Sequence, residues 1–120
     1  MKIAFTTDGP HLSSPLDRRF GRAPGFLIVE TDSGDIRFEP NDQNLNAAQG
    51  AGIQAAQNVA ATGAEAVITG HCGPKAFRIL SASNIAVYNT EAATVQEALE
   101  QFKAGKLSRA DGADVKGHWV

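Results

Sequence analysis

The chain holds one cysteine, one methionine, one tryptophan and one tyrosine in 120 residues. A lone cysteine rules out an intrachain disulfide, and with it the small secreted disulfide scaffolds. It also rules out a four-cysteine zinc site or iron–sulfur cluster built by one chain. No apolar run approaches the roughly 18 residues of a membrane span. Met1–Asp8 offers one basic residue and a very short apolar stretch, less than a secretory signal needs. The expectation is therefore a soluble protein of a reducing compartment, the cytoplasm, with no membrane partner. Charge of one sign is also lacking: 11 Lys and Arg face 13 Asp and Glu, for a net charge of -2. A general basic coat for nucleic acid is thus absent. What remains is ordinary: 42% hydrophobic and 20% charged residues suit one globular domain, neither disordered nor fibrous.

The first forty residues read as strands and loops, the rest as alternating helix and strand. Ile3–Thr7 is β-prone and is stopped by Asp8-Gly9-Pro10, because Pro10 cannot donate to a ladder. His11–Pro24 shows no period and reads as a long loop. Phe26–Thr31 and Ile36–Glu39, separated by Asp32-Ser33-Gly34-Asp35, read as a hairpin. Ala47–Thr62 places Ile53, Ala56, Val59 and Ala60 on one helical face, and Gly63 suits its end. Ala66–Thr69 reads as a buried strand. Pro74 opens a helix whose apolar face is Ala76, Phe77, Ile79 and Leu80. Ile85–Tyr88 is a further strand. Val95, Ala98, Leu99 and Phe102 mark a last helix ending near Gly105. Lys106–Val120 has no firm period and reads as a less ordered tail.

This order is α/β, in a single domain over residues 1–120. Strands joined by helices are expected to be parallel, with their C-terminal ends on one edge. Ligands of such sheets sit outside those ends. The loops after Thr7, Thr69 and Tyr88 are therefore expected to converge.

Two of these loops carry chemistry. Gly70-His71-Cys72-Gly73-Pro74 joins a strand to a helix, with Lys75 in the first turn. Gly70 and Gly73 let backbone approach a ligand, and the helix start is an anion site. The same terminus favours a Cys72 thiolate, and His71 and Cys72 are both metal-ligand types. A buried cysteine and a merely hydrogen-bonded histidine are the plainer readings of these two residues. Two adjacent ligands do not complete a four-coordinate site. Remote side chains such as His11 or His118, a second chain or inorganic ligands would have to do so. The other loop, Asp17-Arg18-Arg19-Phe20-Gly21-Arg22, gathers three arginines in a slightly acidic chain. Guanidinium forks recognise anions, and Phe20, with Leu16, offers an apolar wall. The alternative is a solvated loop with one arginine paired to Asp17.

Gln49-Gly50-Ala51-Gly52-Ile53-Gln54-Ala55 superficially fits G-x-G-x-x-A. The dinucleotide fingerprint must follow a strand, and Asp42–Gln49 is polar, so close packing of a helix start is the reading. Ser13, Ser14, His11 and Asp8 supply ingredients for a triad, but no G-x-S-x-G elbow is present.

Arg19-Phe20-Gly21-Arg22-Ala23, Asn46–Gly52, Gly70–Ala76 and the ending Gly117-His118-Trp119 occur in this order along one short chain. Together they resemble the dinitrogenase iron–molybdenum cofactor biosynthesis family, nearly from end to end. The resemblance implies a ribonuclease-H-like fold, a mixed five-stranded sheet with flanking helices. It implies a non-catalytic protein that binds or carries an anionic metal–sulfur cluster, together with cluster donor and acceptor proteins. Many members of that family have a histidine where this chain has Gln49. The Gly-His-Cys-Gly loop fits a branch of small carriers of a molybdenum–copper sulfide cluster, with a molybdenum–iron–sulfur cluster as the related cargo. On this reading Arg18, Arg19, Phe20, Gly21, Arg22, Gly70, Gly73 and Lys75 hold the cluster, and His71 and Cys72 line the pocket as candidate ligands. A cluster that carries its own sulfides needs few protein thiolates, which is compatible with one cysteine. Two other classes stay open at this point. One is a regulatory module that docks on a partner protein without metal. The other is a phosphate-ester or nucleotide enzyme using the same anion loops, for which no nucleophile is evident.

Overall fold

The computed structural model describes residues 1–43, 46 and 50–112. The expected helix start at Ala47–Gln49 and the ending Gly117-His118-Trp119 lie outside the described residues. Five strands and three helices follow in the order β1 (Lys2–Thr7), β2 (Gly25–Glu30), β3 (Ile36–Pro40), α1 (Ala51–Ala61), β4 (Ala66–Thr69), α2 (Pro74–Ala82), β5 (Ala86–Asn89) and α3 (Val95–Lys103). A single 3-10 turn, Phe20–Arg22, interrupts the loop after β1. The strands form one mixed sheet in the order β3-β2-β1-β4-β5. β2 is antiparallel to both its neighbours, while β1, β4 and β5 run parallel.

Local chemistry accounts for these elements. The β2–β3 turn closes because Gly34 adopts φ 80°, and its N–H donates to the Glu30 carbonyl at 2.8 Å. Gly63 (φ 81°) and Gly105 (φ 71°) end α1 and α3 in the left-handed region that glycine occupies without strain. β1, β2 and β4 are almost wholly buried, as expected for apolar runs covered on both faces. Period-two alternation sorts their side chains into two layers. Ala4, Phe26, Ile28, Val67 and Val87 meet Ala55, Ala56 and Val59 of α1 and Ala76 and Leu80 of α2. Ile3, Phe5, Leu27, Val29 and Ile68 meet Val95, Ala98 and Leu99 of α3.

The parallel strands deliver their C-terminal ends to one edge, and the long loop 8–24 is tied there. Thr6, fully buried, donates its hydroxyl to the Asp17 carbonyl at 2.6 Å and shares a hydrogen bond with the Thr69 hydroxyl at 2.9 Å. Asp17 N–H returns to the Thr6 carbonyl at 2.8 Å, and the Thr7 hydroxyl donates to the Pro15 carbonyl at 2.6 Å. Leu16 N–H donates to Ala93 O, and Val95 N–H to Ser14 O, which carries residues 12–16 to the α3 side. Leu16 is therefore not a wall of the basic loop, as its place in sequence suggested. It is buried in the α3 layer, across the sheet.

Thr6→Val keeps the side-chain shape and removes the donor, leaving the Asp17 carbonyl without that partner. A loss of about 1–3 kcal/mol is expected. The urea midpoint checks it, with a fall in midpoint at unchanged slope as the predicted result.

Candidate functional site

The site is assembled by close backbone approaches that glycine alone allows. A Cβ built on Gly70 would lie 2.7 Å from Arg18 Cα and 2.8 Å from the Arg18 carbonyl oxygen. Through that gap His71 N–H donates to Arg18 O at 2.7 Å, and Phe20 N–H donates to His71 O at 3.1 Å. Arg19 and His71 thus form one rung of parallel ladder between the basic loop and the β4–α2 loop. Asn89 at the end of β5 braces the same place, its Nδ2 donating to Gly70 O at 3.1 Å. The three loops expected to converge do meet. Gly21 makes the second approach: its Cβ would stand 2.9 Å from Gly52 N and 3.0 Å from Gly52 Cα. The 3-10 turn therefore lies directly on the start of α1. Phe20 anchors the turn from below, 2% exposed, its ring centroid 6.0 Å from that of Phe26.

Between these segments lies a cavity of about 530 Å³. Arg19, Arg22, His71 and Lys75 line it with polar groups, and Phe20, Ile53, Pro74 and Ala76 with apolar ones. Among the described residues, Gly21, Gly50, Ala51, Gly52 and Gly73 complete the wall, and no aspartate or glutamate lines it. Two helices begin here. Their N-caps, Gly50 and Gly73, are extended and provide no side-chain cap, and neither first turn contains an acidic residue. The helical ladders open with Gln54 N–H to Gly50 O and Phe77 N–H to Gly73 O. The N–H groups of Ala51, Gly52 and Ile53 in α1, and of Lys75 and Ala76 in α2, have no acceptor within their own helix. Both helix starts present partial positive charge to one cavity.

Among the described residues, Asp17 is the carboxylate that pairs with a lining cation. Its Oδ1 accepts from Arg19 N–H at 2.9 Å and lies 3.8 Å from Arg19 Nε. The Arg19 side chain is 70% exposed, so this pair is worth less than about 1 kcal/mol and leaves the guanidinium available. The plain reading of one arginine paired to Asp17 is thus realised, alongside the cavity.

The expected residues separate into two groups. Arg19, Phe20, Gly21, Arg22, His71, Gly73 and Lys75 stand on the cavity. Arg18, Gly70 and Cys72 do not. Arg18 and Gly70 form the backbone contact behind it, the Arg18 side chain being exposed. Cys72 was expected to line the pocket beside His71. It is instead 1% exposed and packed in the α1–α2 layer, with Sγ 3.7 Å from Gly73 O. The extended loop explains the difference: successive side chains alternate, so His71 faces out and Cys72 faces in. His11 is exposed and is not among the lining residues. His118 lies outside the described residues. Sequence reasoning missed the third wall, Gly50–Ile53. Its signal is the glycine pair, which in sequence reads only as a nucleotide motif or as packing. Among the described residues, no three His, Cys, Asp or Glu side chains gather closely enough to hold a bare metal ion. The lining joins cationic side chains and two helix N-termini to apolar walls.

The fold and the cavity define a class: a small α/β domain whose parallel strands end at a cradle lined by cationic side chains and helix N-termini. The chain belongs to the dinitrogenase iron-molybdenum cofactor family, whose model matches residues 1–105. It is similar to the orange protein from Desulfovibrio gigas, solved in its apo form, with 39% identity and a TM-score of 0.89 over 95% of this chain and 96% of that one. It is also similar to a NifB-like protein from Thermotoga described as a member of the DUF35 family, with 33% identity and a TM-score of 0.80 over 97% and 98% of the two chains. An uncharacterised protein of Methanocaldococcus jannaschii is 33% identical over 111 residues, 91% of each chain.

Gly70→Ala forces Cβ into the Arg18 backbone, and Gly21→Ala forces it into Gly52. Each is expected to cost about 1–3 kcal/mol. A Cβ on Gly50 would meet nothing within 4 Å, so alanine there should cost less than about 1 kcal/mol. Denaturant unfolding of the three variants checks this order.

Proposed function

We propose that this chain binds and carries an anionic metal–sulfur cluster in the cavity between the basic loop and the starts of α1 and α2, with no turnover of its own. The cargo is of the molybdenum–copper sulfide type or a related molybdenum–iron–sulfur cluster. One observation carries the reading: Arg19, Arg22, Lys75 and two uncapped helix starts face one space that no carboxylate lines among the described residues. Membership of a family named for the iron–molybdenum cofactor supports the class of cargo. The Gly70-His71-Cys72-Gly73 loop and the likeness to the orange protein support the copper-containing branch. The strand order with β2 alone reversed supports the ribonuclease-H-like label for the fold.

The residues fit such a cargo. A thiomolybdate-type cluster brings its own sulfide ligands and a net negative charge. Guanidinium, ammonium and amide N–H groups neutralise that charge without bonding to metal. Phe20, Ile53 and Pro74 form walls against which weakly hydrated sulfide loses little solvation. His71, exposed on the lining, is the proposed metal-bonding side chain, with Cys72 behind the wall. Loading and release then involve donor and acceptor proteins, in the cytoplasm. No helix among the described residues is long and apolar enough to cross a membrane.

Reconstitution of the apo-protein with tetrathiomolybdate and copper is expected to leave a visible absorption band, with molybdenum and copper retained after desalting. Replacing Arg19 and Arg22 by alanine should weaken binding by about tenfold at low salt and by much less near 0.5 M, because exposed charges are screened there. Retention no better in the native chain than in this variant contradicts the reading.

Cys72→Ala, by contrast, should retain metal at the native level and lower the unfolding midpoint slightly. His71→Ala should lose metal without losing stability. Metal analysis paired with denaturation distinguishes the two.

A further inference from the structure

The sheet has two edges, and the chain treats them differently. β3 carries Arg37, Glu39 and Pro40, and charges and a missing donor are the usual protection of an open edge. β5 reads Ala86-Val87-Tyr88-Asn89, without charge or proline. Its inward bonds are made by alternate residues: Ala86 N–H donates to Glu65 O and Thr90 N–H to Thr69 O. Val87 and Asn89 therefore turn their backbone groups outward. That row is covered by the chain's own segment 106–112. Ala110 N–H donates to Val87 O at 2.8 Å, and Arg109 pairs with Tyr88 as an antiparallel bridge. Leu107 packs on the α3 layer and Ala110 on the α1–α2 layer, so the segment straps over the edge with one apolar foot on each side. The family match ends at residue 105, before the strap begins.

We infer that the β5 edge is a self-association surface which the strap keeps closed, and that its occupant when the strap lifts is β5 of a second copy. Direction decides the occupant. The strap shows that this edge accepts an antiparallel strand, and two β5 strands related by a twofold axis are antiparallel by symmetry. Each Val87 and Asn89 then meets a row of the same spacing and the same lack of charge. The β3 edge of a second copy is the poorer fit, since it would bring Arg37, Glu39 and a proline to the junction. The inference is independent of what the cavity holds.

The test uses the full chain. Ala110→Pro removes the strap's donor to Val87, and Leu107→Asp with Ala110→Pro also removes one apolar foot. Sedimentation equilibrium over a range of concentrations is expected to give 12.6 kDa for the native chain and a doubled mass for the double variant. The doubled species should revert on dilution, and also on adding a synthetic peptide of residues 105–112, which competes for the edge. One-chain mass in both variants at every concentration overturns the inference. So does a native chain already of doubled mass, or a doubled mass indifferent to the peptide. If circular dichroism shows the double variant unfolded, the single variant, which deletes no buried volume, decides.

Discussion

The contact on which the rest depends is the rung between the basic loop and His71. A loop of irregular backbone must be held against a strand-to-helix turn closely enough to share two hydrogen bonds, at 2.7 and 3.1 Å, and only an absent side chain at Gly70 permits that. Two such bonds contribute about 1 kcal/mol each, too little to order the loop unaided. The Thr6, Thr7 and Asp17 bonds fix its first half, and burial of Phe20 fixes its second. With those in place, Arg19 lies between two anchored backbones, and Gly21 is carried onto α1. The cavity is the space these approaches leave.

Its charge follows from topology. In strand–helix–strand units the helices run back against the strands, so their N-termini collect at the edge where parallel strands end. α1, leading into β4, and α2, leaving it, both start there. Glycine N-caps leave the first-turn N–H groups to face outward rather than to a serine or aspartate. A chain of net charge -2 thus presents a locally positive recess, and its overall charge says nothing about what it binds. The scarcity of cysteine acquires the same meaning. It excludes clusters built chiefly from one chain's thiolates, and leaves room for one that arrives with its sulfides attached.

Much of this was readable in the sequence, for identifiable reasons. The strands β1, β2 and β4 are continuous apolar runs, and the stops at Gly34, Gly63 and Gly105 need a backbone that glycine supplies. The two loops announced themselves because arginines and paired glycines are conspicuous in an otherwise ordinary chain. What was not readable depended on long-range contact. Nothing local shows that Gly50–Ile53 faces the same space as His71, since their meeting is set by Gly21 on Gly52. Nor does spacing tell which of two neighbours, His71 or Cys72, turns outward. Leu16 and the aperiodic segment after Lys106 belong with these: their roles come from what lies across the sheet or beside β5. Segments without period carry no signal of the surface they will cover.

The cradle between Arg19, Lys75 and the two helix starts is where the cluster is proposed to sit. Anomalous diffraction at the molybdenum edge, from crystals of the chain loaded with tetrathiomolybdate and copper, would locate the metal. Molybdenum peaks are expected inside this cavity, within reach of Arg19, Arg22 and the first-turn amides of α1 and α2. Peaks seated elsewhere on the chain, or none in this cavity at full occupancy by metal analysis, would contradict that placement.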